Sequence, residues 1–153
     1  MDPTTPVSTV AHLIQLAIAP VFLLAGIGAF LNVLAQRLAR VVDRARTLEE
    51  RFDGYDDEGR ARAAAELCLL DRRMTVVNRA ISACTASALF VCLMVAILFV
   101  ADLADIGIAW PIASLFVIAM LLLIVGLILF LLEIRLAAKS LRVRRDLLAP
   151  PLG

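Results

Sequence analysis

Between Pro3 and Gln36 the chain carries no charged side chain, and it then continues as QRLARVVDRARTL without a helix breaker at the junction. That pattern admits few folds. About 20 apolar residues suffice to cross a hydrocarbon core of roughly 30 Å, and the uncharged run is longer than that. Beyond it, Leu34, Leu38, Val41, Ala45, Leu48 and Phe52 recur at alternating steps of four and three, which is a heptad seam on a helix. Asn32, Gln36, Arg40, Asp43, Arg44 and Thr47 form a polar stripe on the other side. The stretch reads as a membrane helix that leaves the bilayer and goes on as an amphipathic one.

The remaining chain repeats the theme. Hydrophobic residues make up 62% of the 153, against about 45–50% in a soluble domain, so much of the chain needs a solvent other than water. Three spans are predicted, at about 10–35, 80–100 and 112–132. In the first, Pro20 removes a backbone hydrogen bond, which predicts a kink, and Gly26, Gly28, Ala25 and Ala29 predict close helix packing. A signal peptide is not expected, because nothing basic precedes the apolar run. The second span opens on small residues, Ala80 to Ala88, and ends on bulky ones. A connector at 101–110 carries Asp102 and Asp105, and Trp110-Pro111 marks an interface and a helix start. The third span is almost wholly aliphatic and is closed by Glu133; a basic tail at 133–153 follows.

Residues 36–79 read differently. From 37 to 79 the chain holds ten arginines and nine acids. DGYDDEG, residues 53–59, is a turn signal. After it, Ala63, Leu67, Leu70, Met74, Val77, Ile81, Cys84 and Ala88 again step by threes and fours. Two seams joined by a short turn predict an antiparallel helical hairpin, held by Leu38, Val41, Ala45 and Leu48 facing Leu67, Leu70, Met74 and Val77. The expected register sets Leu48 beside Ala63 or Ala64, Ala45 beside Leu67, Val41 beside Leu70 and Leu38 beside Met74. Pairs such as Glu58–Arg62, Arg62–Glu66 and Arg46–Glu50 add only about 0.3–0.5 kcal/mol each, so the seam must carry the hairpin. The fold expected is all-α: one integral membrane domain over 1–153, with spans one and two extended into a cytosolic hairpin.

All fifteen basic residues lie in 37–79 or after 133. The positive-inside rule then puts the hairpin and C-terminus in the cytoplasm and the N-terminus outside, in the inner membrane of a cell. With Ala19–Glu49 (APVFLLAGIGAFLNVLAQRLARVVDRARTLE), Glu66–Ile81 (ELCLLDRRMTVVNRAI) and two long spans in view, the chain resembles a family of small three-span bacterial membrane proteins, domain of unknown function 2721. The resemblance covers about residues 10–145. It implies the same architecture and brings no activity, cofactor or catalytic residue.

Chemistry is sparse. An enzyme needs a nucleophile–base pair or a metal set, and none is legible. His12 is the single histidine and reads as interfacial. Cys68, Cys84 and Cys92 have no CxxC spacing, so neither a zinc site nor a disulfide is expected. No enzymatic activity and no cofactor are expected. Arg37, Arg40, Arg44, Arg46, Arg72, Arg73 and Arg79 form a basic collar beneath the membrane, where each contributes about 1 kcal/mol of attraction to anionic headgroups. Asp43 and Asp71 are placed to order neighbouring guanidiniums. Glu133, an acid at the membrane edge, is costly unpaired and is expected to pair with Arg79 or Arg37. Partners expected are the bilayer with its anionic headgroups, a second copy of the chain and an unidentified protein, for which Val42, Leu69 or Val76 would stay uncovered. Nucleic acid is not expected among so many acids.

Two function classes follow. The first is a membrane-anchored interaction or scaffold protein. The alternative is a subunit of a small homo-oligomeric channel or transporter, with Gln15, Asn32, Ser82, Thr85 and Ser87 turned to a shared axis.

Overall fold

The structure, a computed structural model, describes the backbone of residues 6–104 and 109–142 and the side chains of 14, 15, 17–101, 104 and 110–137. Every regular element among the described residues is helical. In chain order they are α1 (Pro6–Glu50), a 3-10 turn (Phe52–Gly54), α2 (Asp57–Leu103) and α3 (Ala109–Arg142). Three stretches, Ala17–Glu50, Asp57–Ala101 and Trp110–Ala137, are long and apolar enough to cross a membrane. That is the make-up of a multi-pass membrane protein. At 1.5 Å per residue, α1 has a path of about 68 Å and α2 of about 70 Å, more than twice what the hydrocarbon core requires. Pro20 lies inside α1. Helix α3 continues past Glu133 to Arg142; His12, Asp102, Asp105 and the basic residues from Lys139 onward lie outside the described side chains.

The helices contribute to two compact units, Met1–Val33 with Ser82–Ile124, and Leu34–Ile81 with Val125–Gly153. In the first, Ile27, Cys84, Ser87, Val91, Met94, Ala101 and Ala119 are buried. The Ser87 hydroxyl donates to the backbone carbonyl of Ala119 at 2.7 Å. Such contact with a main-chain oxygen needs short side chains around it, and the small stretch of α2 supplies them. Large apolar side chains face outward here: Phe22, Leu89, Val100, Trp110 and Val117 are all more than half exposed. In water such a surface is a liability; against lipid tails it costs nothing. The expected close packing at Gly26 and Gly28 is corrected, since a Cβ added at either would meet nothing within 4 Å. Both glycines are exposed, on different sides of α1, and among the described residues nothing lies against either.

In the second unit Leu34, Val41, Ala45 and Leu48 of α1 and Ala63, Leu70, Val77 and Ala80 of α2 are buried. Val41, Ala45, Leu48 and Leu70 form one cluster, with Leu67 and Met74 packed against it. Fully burying a side chain of this kind contributes about 1.5–3 kcal/mol, several times an exposed ion pair, so apolar contact dominates here. Leu38 is half-buried. The turn has a defined end: Asp56 Oδ1 accepts the Gly59 N–H at 2.9 Å, and the Asp56 carbonyl accepts the Arg60 N–H at 2.8 Å. Asp56 is therefore the N-cap of α2, satisfying a donor that the first helical turn leaves free.

The buried line of α2 differs from the expected seam. Ala63, Leu70, Val77 and Cys84 are shared, but the alternate places are taken by Ala80, Ser87 and Met94, with Ile81 and Ala88 only half-buried. The cause is α3. The expected seam faces one partner helix, whereas α2 has neighbours on two sides. Leu67 and Met74 pack towards α1, while Arg73 and Ser87 reach residues of α3.

Candidate functional site

Glu133 is the one charged residue among the fully buried side chains described, with 1% of its side chain exposed. It lies seven residues after Gly126 and fourteen after Ala119, both buried, so the heptad line of α3 carries it inward whatever its charge. A buried carboxylate costs several kcal/mol in lost hydration unless it is paired and hydrogen-bonded. Two guanidiniums meet that need. Arg37 Nη1 donates to Glu133 Oε2 at 2.8 Å, and Arg73 Nη2 donates to Oε1 at 2.8 Å. Each carboxylate oxygen thus takes a different arginine, one from α1 and one from α2. Arg37 is also steadied by Phe130, whose ring centroid lies 5.2 Å from its Cζ.

The second arginine is Arg73, not Arg79, which is exposed. The sequence signal for it was available: Arg73 stands three residues after buried Leu70 and four before buried Val77, in the seam itself. A charge at such a place requires a counter-charge. Glu66 follows the same logic one heptad earlier, and it takes Arg44, whose Nε lies 2.8 Å from Glu66 Oε1. Asp43 and Asp71, placed in advance as the ordering acids, are both exposed. Asp43 contributes through its backbone carbonyl, which accepts the Thr47 hydroxyl at 2.8 Å. Of the expected helix-surface pairs, Glu58–Arg62 forms, while Glu66 is drawn to Arg44 rather than Arg62.

The collar residues divide into groups. Arg37, Arg40, Arg44 and Arg73, with Val41, Leu70 and Glu133, wall a recess of about 330 Å³. Arg72 joins Val76, Leu132, Arg135 and Leu136 around a second recess of about 300 Å³; Arg135 was not foreseen there. Arg46 and Arg79 are exposed and line neither recess. Among the described residues no three His, Cys, Asp or Glu side chains come together as a metal set, and the three cysteines are free thiols.

Residues 17–143 match the family described as Protein of unknown function (DUF2721). The chain belongs to that family. The match takes in every residue of the Glu133 cluster and both recesses, so these features lie within the DUF2721 region rather than in an appendage to it. Neither a curated protein nor a solved structure matches the chain.

Proposed function

We propose that this DUF2721 chain is a non-enzymatic, membrane-anchored interaction protein of the bacterial inner membrane. Its α1 and α2 extend past the bilayer as an antiparallel cytosolic hairpin, whose basic collar rests on anionic headgroups. The N-terminus is outside, and the hairpin and C-terminus are cytoplasmic. One observation carries the reading: Val41, Ala45, Leu48 and Leu70 bury together on a segment holding ten arginines and nine acids. Such a segment has its own apolar core and a surface suited to water and headgroups, as a cytosolic arm needs. Leu69, 58% exposed, is an apolar point on that arm available to an unidentified protein partner.

The second reading, a homo-oligomeric channel subunit, draws on the exposed small-residue face of Ala25, Gly26 and Ala29, which a second copy could cover. Ser87 leaves the set of pore candidates because it is buried against Ala119.

Three measurements test the proposal. A cysteine placed at Thr4 or Ile106 should react with an impermeant reagent added outside intact cells; labelling from the cytoplasm alone reverses the topology. The protein in phosphatidylcholine nanodiscs should gain thermal stability when phosphatidylglycerol is mixed in, and lose that gain when Arg46, Arg72 and Arg79 become Gln. Liposomes carrying the protein should show no selective ion flux; a sustained flux from a defined oligomer replaces this reading with the channel.

A further inference from the structure

We propose that the recess walled by Arg37, Arg40, Arg44 and Arg73 is a discrete binding site for a phosphate group carrying two negative charges. It narrows the lipid-facing reading above to one site with one chemistry.

The charge balance comes first. Four guanidiniums line the recess. Glu133, shared by Arg37 and Arg73, and Glu66, bound to Arg44, offset two of them. A formal surplus of two positive charges is left, matching a phosphomonoester rather than a singly charged diester or a carboxylate. Donor capacity comes next. A guanidinium has five N–H donors, and Arg37 and Arg73 each give a single nitrogen to Glu133. The carboxylate therefore fixes both arginines in place without exhausting them. Arg73 also keeps a buried Nε–H without an acceptor, which marks its bonding as incomplete. Arg40 is exposed and lines the recess from α1, one helical turn from both Arg37 and Arg44. These four side chains come from two helices, and the carboxylate that orders two of them comes from the third. Arginine is the side chain whose fork geometry fits phosphate oxygens, and about 330 Å³ is at the small end of ligand-sized sites.

The phosphate can belong to a lipid headgroup or to a soluble molecule, and the experiment separates them. The full chain is held in phosphatidylcholine nanodiscs, and its melting temperature is followed as inorganic phosphate replaces chloride at constant ionic strength. In parallel, phosphatidic acid, a phosphomonoester lipid, or phosphatidylglycerol, a phosphodiester, is mixed into the disc. Wild type should be stabilised by inorganic phosphate, by phosphatidic acid beyond phosphatidylglycerol, or by both. A response to the soluble ion assigns the site to free phosphate compounds; a response to phosphatidic acid alone assigns it to lipid. Arg40→Gln should weaken that response about tenfold, as expected for one charge-assisted hydrogen bond. Arg40→Lys should keep most of it, and Arg51→Gln, at an exposed arginine outside both the recess and the collar, should change nothing. The proposal is overturned if neither arm responds, if Arg40→Gln binds undiminished, or if Arg51→Gln loses as much. Equal stabilisation by the two lipids without a response to inorganic phosphate also overturns it, while leaving the general collar intact. Loss of any anionic-lipid preference, with the response to free phosphate retained, removes the collar and keeps the site.

Discussion

A single carboxylate decides how three helices carry their charge. Glu133 has given up nearly all contact with solvent, yet its two partners keep 31% and 24% of their side chains exposed, so the cluster reaches outward through its arginines. Removing the charge leaves two guanidiniums facing each other across a neutral amide. Glu133→Gln should lower unfolding stability by roughly 3 kcal/mol, the scale for breaking a buried pair from one side. Glu66→Gln, at a bridge whose two side chains are 51% and 42% exposed, should cost less than about 1 kcal/mol. Thermal unfolding of both variants in the same detergent compares them directly, and equal losses would contradict the geometry. That Glu133 needs a cation is legible in the sequence from its position at the end of an aliphatic run. That one of its cations is Arg73 is legible from its spacing to Leu70 and Val77 only when α2 is read as facing two helices; a seam drawn for one partner assigns that level to Met74.

At the scale of the element, the helices follow from uncharged runs and heptad spacing, and the turn from its Gly and Asp content. What spacing alone leaves open is which flank of α2 meets which neighbour. The difference between the lines 67–74–81 and 66–73–80 is one residue, and it is settled by whether one helix or two pack against α2. The start of α2 gives a sharp test. Asp56→Ala removes the acceptor of the Gly59 N–H and should cost about 1 kcal/mol. Gly59→Ala would ordinarily gain up to about 1 kcal/mol of helix propensity. Here the new Cβ would stand 2.7 Å from Asp56 Oδ1 and 3.1 Å from the Tyr55 Cβ. Pushing the cap aside should cancel the gain, leaving Gly59→Ala no more stable than wild type. Urea or thermal midpoints of the two variants measure both effects; a clear stabilisation by Gly59→Ala would mean that the cap is dispensable.

For the whole molecule, the cysteines report where lipid lies. Cys68 and Cys92 are both on the surface and Cys84 is buried, but Cys68 stands in the charged stretch of α2 and Cys92 in its aliphatic one. Thiols react as thiolates, which form in water and not in hydrocarbon. In membranes a charged maleimide should modify Cys68 and spare Cys92, and in mild denaturing detergent it should modify both. Equal reactivity in membranes would place water along the apolar part of α2. The Glu133 cluster also sets an order of events during synthesis. Glu133 comes 96 residues after Arg37 and 60 after Arg73, so both cations leave the ribosome long before their shared anion exists. Until α3 is made and seated, Arg37 and Arg73 lack the carboxylate that pairs them. Arrival of the last helix supplies the one carboxylate that pairs both arginines, which makes α3 the latch of assembly.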